Sequence, residues 1–412
     1  MFFSKIELKG WRQFRDVEIE FDQRLTILTG QNGSGKSTIL RLLGQHFGWT
    51  IPLIATPYYE GSTLKYLTGW NRWTRYKENQ QQIGRIEYSS GHESRLWVPA
   101  EASAQFNVNI ENQASISGIN VSSHRPVSNY QQVSNIPTNP MRADNAYSNY
   151  FNEIQMRWQN AYSQFSPLYR MKEALISMAT FGPGNEDVQA NEEIRKTYRA
   201  FKDVLRLIVP PSIGFRDLKV RLPDVVLVTE SGDFTLDAAS GGLMSLIDLA
   251  WQIFLFSRDK DQFVALIDEP ENHLHPSMQR TVLHSLIEAF PQGQFIVATH
   301  SPFIVSSVRE SRVYVLKTIP GVTPEGVQSL SVSSIFLDHG NKAATASEIL
   351  REVLGVPVTL PIWAEQQVEA IAERHTNTPI TEESIRLLRT ELTEAGLEEY
   401  YPEALSAWVR GQ

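Results

Sequence analysis

The sequence predicts an α/β protein: antiparallel β hairpins, then a mixed, mainly parallel sheet covered by helices. Three observations predict it. Leu25-Thr26-Ile27-Leu28-Thr29 reads as a short buried strand, the glycine-rich run from Gly30 to Ser37 as a loop, and Ser37 to Leu43 as the start of a helix. From Phe263 onward, strands at 263–267, 294–298 and 312–316 alternate with helices at 277–290 and 302–309, the pattern of an α/β layer. Upstream, residues 3–9 and 17–21 alternate apolar with polar, as do 83–88 and 94–98, which is the period of hairpin strands.

Taken in order, the first hairpin turns at Gly10 to Asp16 and leads into the strand before the glycine-rich loop. Residues 47–80 are rich in Trp, Tyr, Thr and Pro and show no clear period. The second hairpin turns at Ser89-Ser90-Gly91-His92; residues 101–119 are polar and strand-like, and Gly118 to Val121 is an apolar strand running into a polar turn. Residues 141–180 read as one helix with an apolar stripe that includes Met156, Trp158, Met171 and Met178, broken at Phe181-Gly182-Pro183-Gly184. A second helix spans 192–208 and stops at Pro210-Pro211. The stripe is read as packing rather than a cofactor site, and the mixed charges of 187–206 as a solvated face. Strands return at 215–220 and 225–228, and Ser240-Gly241-Gly242 opens a long apolar helix through Phe256. The tail is helical in pattern and strongly acidic. The expected units are a first lobe at 1–135, a helical insertion at 136–212, a second lobe at 213–344 and a small C-terminal helical subdomain at 345–412.

Composition narrows the class. With 412 residues, 42% of them hydrophobic, two or more packed units are expected at ~100–200 residues per domain. The absence of cysteine excludes disulfides, thiol catalysis and cysteine-ligated zinc. No run of 18 or more apolar residues exists and the N-terminus lacks a signal-peptide core, so no membrane span and a cytoplasmic location are expected. A net charge of −8 gives no global nucleic-acid footprint, although a local basic groove is compatible with it.

Gly30-Gln31-Asn32-Gly33-Ser34-Gly35-Lys36-Ser37 fits the phosphate-binding P-loop, and its strand–loop–helix setting is the one the motif needs. Glycines let backbone N–H groups curl around phosphate oxygens, and the helix N-terminus adds positive potential. Gly30, Asn32, Gly33, Ser34, Gly35, Lys36, Ser37 and Thr38 are the expected ATP contacts, with Lys36 reaching the terminal phosphates and Ser37 ligating Mg²⁺. Phosphoryl transfer also needs a second Mg²⁺ ligand and a group that orients water. The apolar strand Phe263 to Ile267 ends in Asp268-Glu269, which supply them: Asp268 for the metal, Glu269 for the water. Successive strand side chains point apart, so Glu269 must lie at or past the strand end, as Pro270 indicates. His300, after the strand 294–298, has the position of a γ-phosphate sensor. Ser240-Gly241-Gly242 at a helix start is a second anion site. One chain needs one γ-phosphate cradle, so this second site is assigned to ATP held by another copy: a homodimer or higher even oligomer. At the first hairpin, Arg12, Phe14 or Arg15 lies against adenine or packs the hairpin tip onto the lobe.

These residues resemble the ABC-type ATPase head. Gly30 to Ser37 resembles its Walker A motif, Ser240-Gly241-Gly242 the signature, Asp268-Glu269 Walker B with the catalytic glutamate, Glu271 to Pro276 the D-loop region, and His300 the switch histidine. Within that superfamily the hairpin Leu8 to Arg15, the run Asp268 to Pro276, Thr299-His300-Ser301-Pro302 and the helical insertion resemble the SMC-like ATPases of the overcoming-lysogenization-defect and Septu-type antiphage defence group. The resemblance implies ATP and Mg²⁺ as ligands, catalytic roles for Lys36, Glu269 and His300, and a sensor or scaffold that controls a separate effector, a nuclease or toxin. The alternative is a stand-alone DNA repair ATPase that contacts DNA or RNA directly. Two departures stand out. Ala239 and Leu243 flank the signature where transporters usually carry Leu and Gln, and no glutamine among Gln82, Gln105 and Gln113 places the Q-loop convincingly. The stretch after His300 shows no Asp-x-Asp of a TOPRIM nuclease, which directs any cutting activity to another chain.

Overall fold

The computed structural model describes residues 1–69, 80–99, 102–123, 129–159, 161–322, 328–338, 346–354, 361–376 and 378–411. The expected turn at His124-Arg125-Pro126 and the 344/345 boundary lie outside the described residues. The chain divides into two compact units, Met1–Ala346 and Ser347–Gln412.

The first unit is built on an eleven-stranded sheet. Its strands are β1 (Phe3–Trp11), β2 (Phe14–Glu20), β3 (Leu25–Gly30), β7 (Gln80–Tyr88), β8 (Glu93–Pro99), β10 (Asn109–Glu111), β11 (Gly118–Val121), β15 (Phe263–Asp268), β16 (Gly293–Thr299), β17 (Arg312–Val322) and β18 (Gln328–Phe336), in the order β10-β8-β7-β1-β2-β18-β17-β3-β16-β15-β11. Strands β10 to β2 pair antiparallel, β2 pairs β18 parallel, β18 pairs β17 antiparallel, and the strands from β17 to β11 run parallel. The parallel strands lack polar alternation because both faces are covered: every residue of β3 and β16 is buried, and every residue of β15 except Asp268. The small pairs β4 (Leu53–Ile54) with β9 (Gln105–Phe106) and β5 (Thr56–Glu60) with β6 (Thr63–Leu67) form separate ribbons, and β12 (Phe215–Arg221), β13 (Asp224–Thr229) and β14 (Gly232–Thr235) a three-stranded meander.

Helix α1 (Lys36–Gly44) follows β3 and packs on β15 and β16. The stretch 141–180 is two helices, α2 (Ala143–Trp158) and α3 (Pro167–Phe181). The reason is local: Ser166 accepts the Tyr169 N–H and Pro167 occupies the first turn, a start signal that overrides the continuing apolar period. Met171 and Met178 are buried as expected of packing, whereas Met156 and Trp158 are exposed. Helix α4 (Glu192–Ile208), capped by Asn191, lays Phe201 against Trp251 and Phe254 of α5 (Gly241–Ser257), with ring centroids 4.6 and 5.2 Å apart. The expected helix 277–290 is likewise interrupted, into α6 (Pro276–Gln279) and α7 (Val282–Ala289), and 302–309 shortens to α8 (Pro302–Val305).

The second unit has its own core. Helices Ile362–His375, Glu382–Glu394 and Tyr401–Gly411 bury Val368, Ile371, Leu388, Leu392 and Trp408 together, while Ile380 and Leu387 stay exposed. Thr381 and Ser384 form a capping box at the second of these helices.

Candidate functional site

Strand register places the site. Thr29 of β3 pairs with Thr299 of β16, and Asp268 of β15 pairs with Ala298 of β16. The C-terminal ends of three neighbouring parallel strands therefore meet at one edge, each followed by a predicted residue: the glycine-rich loop after β3, Glu269 after β15, His300 after β16. Crevices at such strand ends are where open α/β sheets bind ligands.

The loop is held from one side by the first hairpin. Gly35 caps α1 at φ +99, and a Cβ placed there would lie 2.4 Å from the Phe14 ring and 2.6 Å from Gln13 Nε2. Phe14 is thus buried packing, and Arg12 reaches the Ile54 carbonyl at 2.8 Å with its guanidinium over the Trp11 ring. Both pack the hairpin tip onto the lobe, whereas Arg15 stays exposed.

Lys36 is 5% exposed and curls back on its own loop, donating to the carbonyls of Gly30 at 2.9 Å and Gln31 at 3.2 Å, with His300 Nδ1 3.5 Å away. Burial lowers its pKa to about 8, against the pull of Asp268, Glu269 and Glu271. The Asp268 carboxyl is pushed up mainly by burial, against the opposing influence of the neighbouring Ser37 hydroxyl. Asp268 Oδ1 and Ser34 Oγ are buried without hydrogen-bond partners. An orphaned carboxylate oxygen beside a hydroxyl and an orphaned hydroxyl in the loop fit a hard cation and a phosphate respectively. Among the described residues no cluster of three or more His, Cys, Asp or Glu forms a metal cage. Mg²⁺ needs none, since it binds through one or two carboxylates plus phosphate and water.

Glu269 lies just past the end of β15, at φ +50. For a non-glycine residue this left-handed conformation costs about 1–3 kcal/mol, and such strain clusters at functional sites. Its N–H is anchored to the Ala298 carbonyl at 2.8 Å, and its Oε1 lies 3.9 Å from His300 Nε2. Burial first, then Lys36, holds the His300 imidazole below its usual pKa.

Ser240 caps α5 by accepting the Leu243 N–H, and Gly242 packs on the His273 carbonyl, where a Cβ would sit at 2.7 Å. Among the described residues no hydrogen bond or ion pair joins Ser240, Gly241 or Gly242 to Lys36, Asp268, Glu269 or His300. Lys36, Ser37, Asp268, Glu269 and His300 converge; the serine-glycine pair does not join them within one chain.

Sequence reasoning missed three features. Glu271 Oε1 accepts from Thr299 Oγ1 at 2.7 Å, His300 N at 2.8 Å and Ser301 N at 3.2 Å, fixing the His300 turn. Asn272 Nδ2 donates to Glu269 Oε2 at 2.9 Å. The segment beside the carboxylates is Ser122-Ser123, following β11, and not any of the three candidate glutamines. It lines a cavity of about 370 Å³ with Ser37, Arg41, Trp49, Asp268 and Glu269.

Septu protein PtuA of Bacillus mycoides (strain KBAB4) is 23% identical over 362 residues, covering 81% of this chain and 45% of that protein. Retron Ec83 probable ATPase of Escherichia coli is 29% identical over 156 residues, 35% of this chain and 28% of that protein. The chain spans less than half the length of these curated relatives. The SMC head domain from Thermotoga maritima matches with a TM-score of 0.38 at 16% identity, over 82% of this chain and 100% of that one. Among the described residues no helix is long and apolar enough to cross a membrane. The model of the AAA ATPase domain matches residues 1–47 and 70–305, from the glycine-rich loop to the strand ends that carry Asp268, Glu269 and His300, and the chain belongs to that family.

Proposed function

We propose that this chain binds Mg-ATP at the β3, β15 and β16 strand ends, hydrolyses it, closes on a second copy in doing so, and thereby controls a separate effector protein in antiphage defence. The observation that carries the hydrolytic reading is the convergence of Lys36, Ser37, Asp268, Glu269 and His300 at one crevice. The Septu and retron relatives support the defence setting, and the Septu-type resemblance supports a separate nuclease or toxin chain.

In this reading the backbone N–H groups of Gly33 to Lys36 cradle the β-phosphate. Lys36 exchanges its two carbonyl partners for phosphate oxygens. Ser37 and Asp268 would hold Mg²⁺, which supplies charge neutralisation at the phosphates when bound. Glu269 orients a water whose oxygen attacks the γ-phosphorus as the bond to the bridging oxygen breaks; ADP leaves, and the water proton ends on the released phosphate. His300 donates to the γ-phosphate, steered by Glu271 through the backbone turn. Ser240 and the N-terminus of α5 serve the γ-phosphate of ATP held by the partner; among the described residues no hydrogen bond or ion pair commits them to this chain's own crevice. Preorganised donors of this kind contribute about 10²–10³ in rate each.

The test is a pair of variants. Lys36→Ala should lose nucleotide binding. Glu269→Gln should keep binding while turnover falls about 10²–10⁴-fold. Wild-type turnover by Glu269→Gln would remove Glu269 from its role.

A further inference from the structure

Asn272 has no part in the roles above, yet three pieces of the site meet on it. Its Nδ2 is 2.9 Å from Glu269 Oε2 and 3.2 Å from the Ser123 carbonyl oxygen. Both neighbours only accept, so the amide must present its NH₂ group, one hydrogen to each. The backbone is tied too: Asn272 N–H donates to the Glu269 carbonyl at 3.2 Å, and the Ser245 hydroxyl of α5 donates to the Asn272 carbonyl at 3.1 Å. The left-handed Glu269, the segment after β11 that lines the cavity, and the helix that begins at Gly241 are therefore linked through one side chain and its peptide groups.

We infer that Asn272 is the positioning residue for Glu269. It clamps Oε2, which fixes the carboxylate plane and leaves Oε1, on the His300 side, to take the attacking water. The hydrogen bond to Ser123 keeps the amide from rotating away, so a shift of the cavity wall is felt at Glu269. This rests on the proposed role of Glu269 in orienting water.

The experiment is single-turnover and steady-state hydrolysis by the full chain as wild type, Asn272→Ala, Asn272→Asp, Glu269→Gln and the Asn272→Ala/Glu269→Gln double variant. Asn272→Ala should lower kcat roughly tenfold to a hundredfold with KM and Tm little changed, because orientation and not binding is lost. In the Glu269→Gln background the same change should lower the residual rate no further, since Asn272 acts through Glu269. Asn272→Asp is isosteric and serves if the alanine variant does not fold; it replaces a donor with a like charge and should fall at least as far. Wild-type kcat in the Asn272 variants, or a loss that multiplies fully with that of Glu269→Gln, overturns the inference. If Glu269→Gln itself turns over normally, the role of Glu269 fails instead, and the two failures are distinguished.

Discussion

Replacing Gly35 by alanine tests how the first hairpin shapes the loop. Two costs add. An L-residue in a left-handed conformation costs about 1–2 kcal/mol. The new Cβ would also lie 2.4 Å from the Phe14 ring, and that ring is 1% exposed with Trp11 packed behind it at 6.1 Å. Forcing a methyl into such packing costs about 1–3 kcal/mol. Gly35→Ala should therefore destabilise by about 2–5 kcal/mol, read by urea unfolding of the nucleotide-free chain. Gly33 is the control: its φ is +78 but nothing lies within 4 Å of a Cβ there, so Gly33→Ala should show only the conformational cost, about 1–2 kcal/mol. Shortening the ring isolates the second term. The Gly35→Ala/Phe14→Leu double variant should be less destabilised than the sum of its singles by about 1–3 kcal/mol. Equal losses for Gly33→Ala and Gly35→Ala, or strict additivity in the double variant, would refute the claim that the hairpin tip buttresses the loop.

Other perturbations test separate parts of the structure. The His46 ring lies between the Leu43 carbonyl at 3.0 Å and the Tyr88 hydroxyl at 2.8 Å, and burial lowers its pKa from 6.5 to about 4. A lowered histidine pKa means the unfolded chain binds the extra proton, so stability should fall as pH drops from 6.5 to 4, by at most about 3 kcal/mol. In His46→Gln that part of the pH dependence should vanish, as measured by unfolding at a series of pH values. Lys172 is fully buried, 2.7 Å from Asp237 and 3.4 Å from Asp224, and ties α3 to the segment that precedes Ser240. Lys172→Met leaves two carboxylates uncompensated and should cost about 3–5 kcal/mol, with Asp237→Asn restoring part of it in the double variant; a loss under 1 kcal/mol in unfolding experiments would contradict the pairing.

Where the signal was local, the sequence was readable. The strand–loop–helix around Lys36, the two carboxylates after an apolar strand and the histidine after the next one all follow from periodicity plus end signals. The single helix expected over 141–180 is two, because the apolar stripe continues through residues where Ser166 and Pro167 start a new helix. The ribbon of β5 and β6 and the strand β18 were missed because their outward faces carry mixed residues: Leu330 is 70% and Tyr59 70% exposed, which blurs alternation. Glu271, Asn272 and Ser123 act through tertiary hydrogen bonds between segments far apart in the chain, the Asn272–Ser123 pair 149 positions apart, and no local pattern encodes that. Phe14 gave no hint of its contact with Gly35, since the register that brings them together is set by the whole sheet.

The central claim is that two copies close around ATP, each crevice completed by the other's serine-glycine turn. Its most direct test is the native mass of the full Glu269→Gln chain with and without saturating Mg-ATP, beside the same chain carrying Ser240→Arg. The account predicts that Mg-ATP doubles the mass of the Glu269→Gln protein and that Ser240→Arg abolishes the doubling while leaving nucleotide binding in place. A mass unchanged by bound ATP, or an ATP-dependent dimer indifferent to Ser240→Arg, would contradict it.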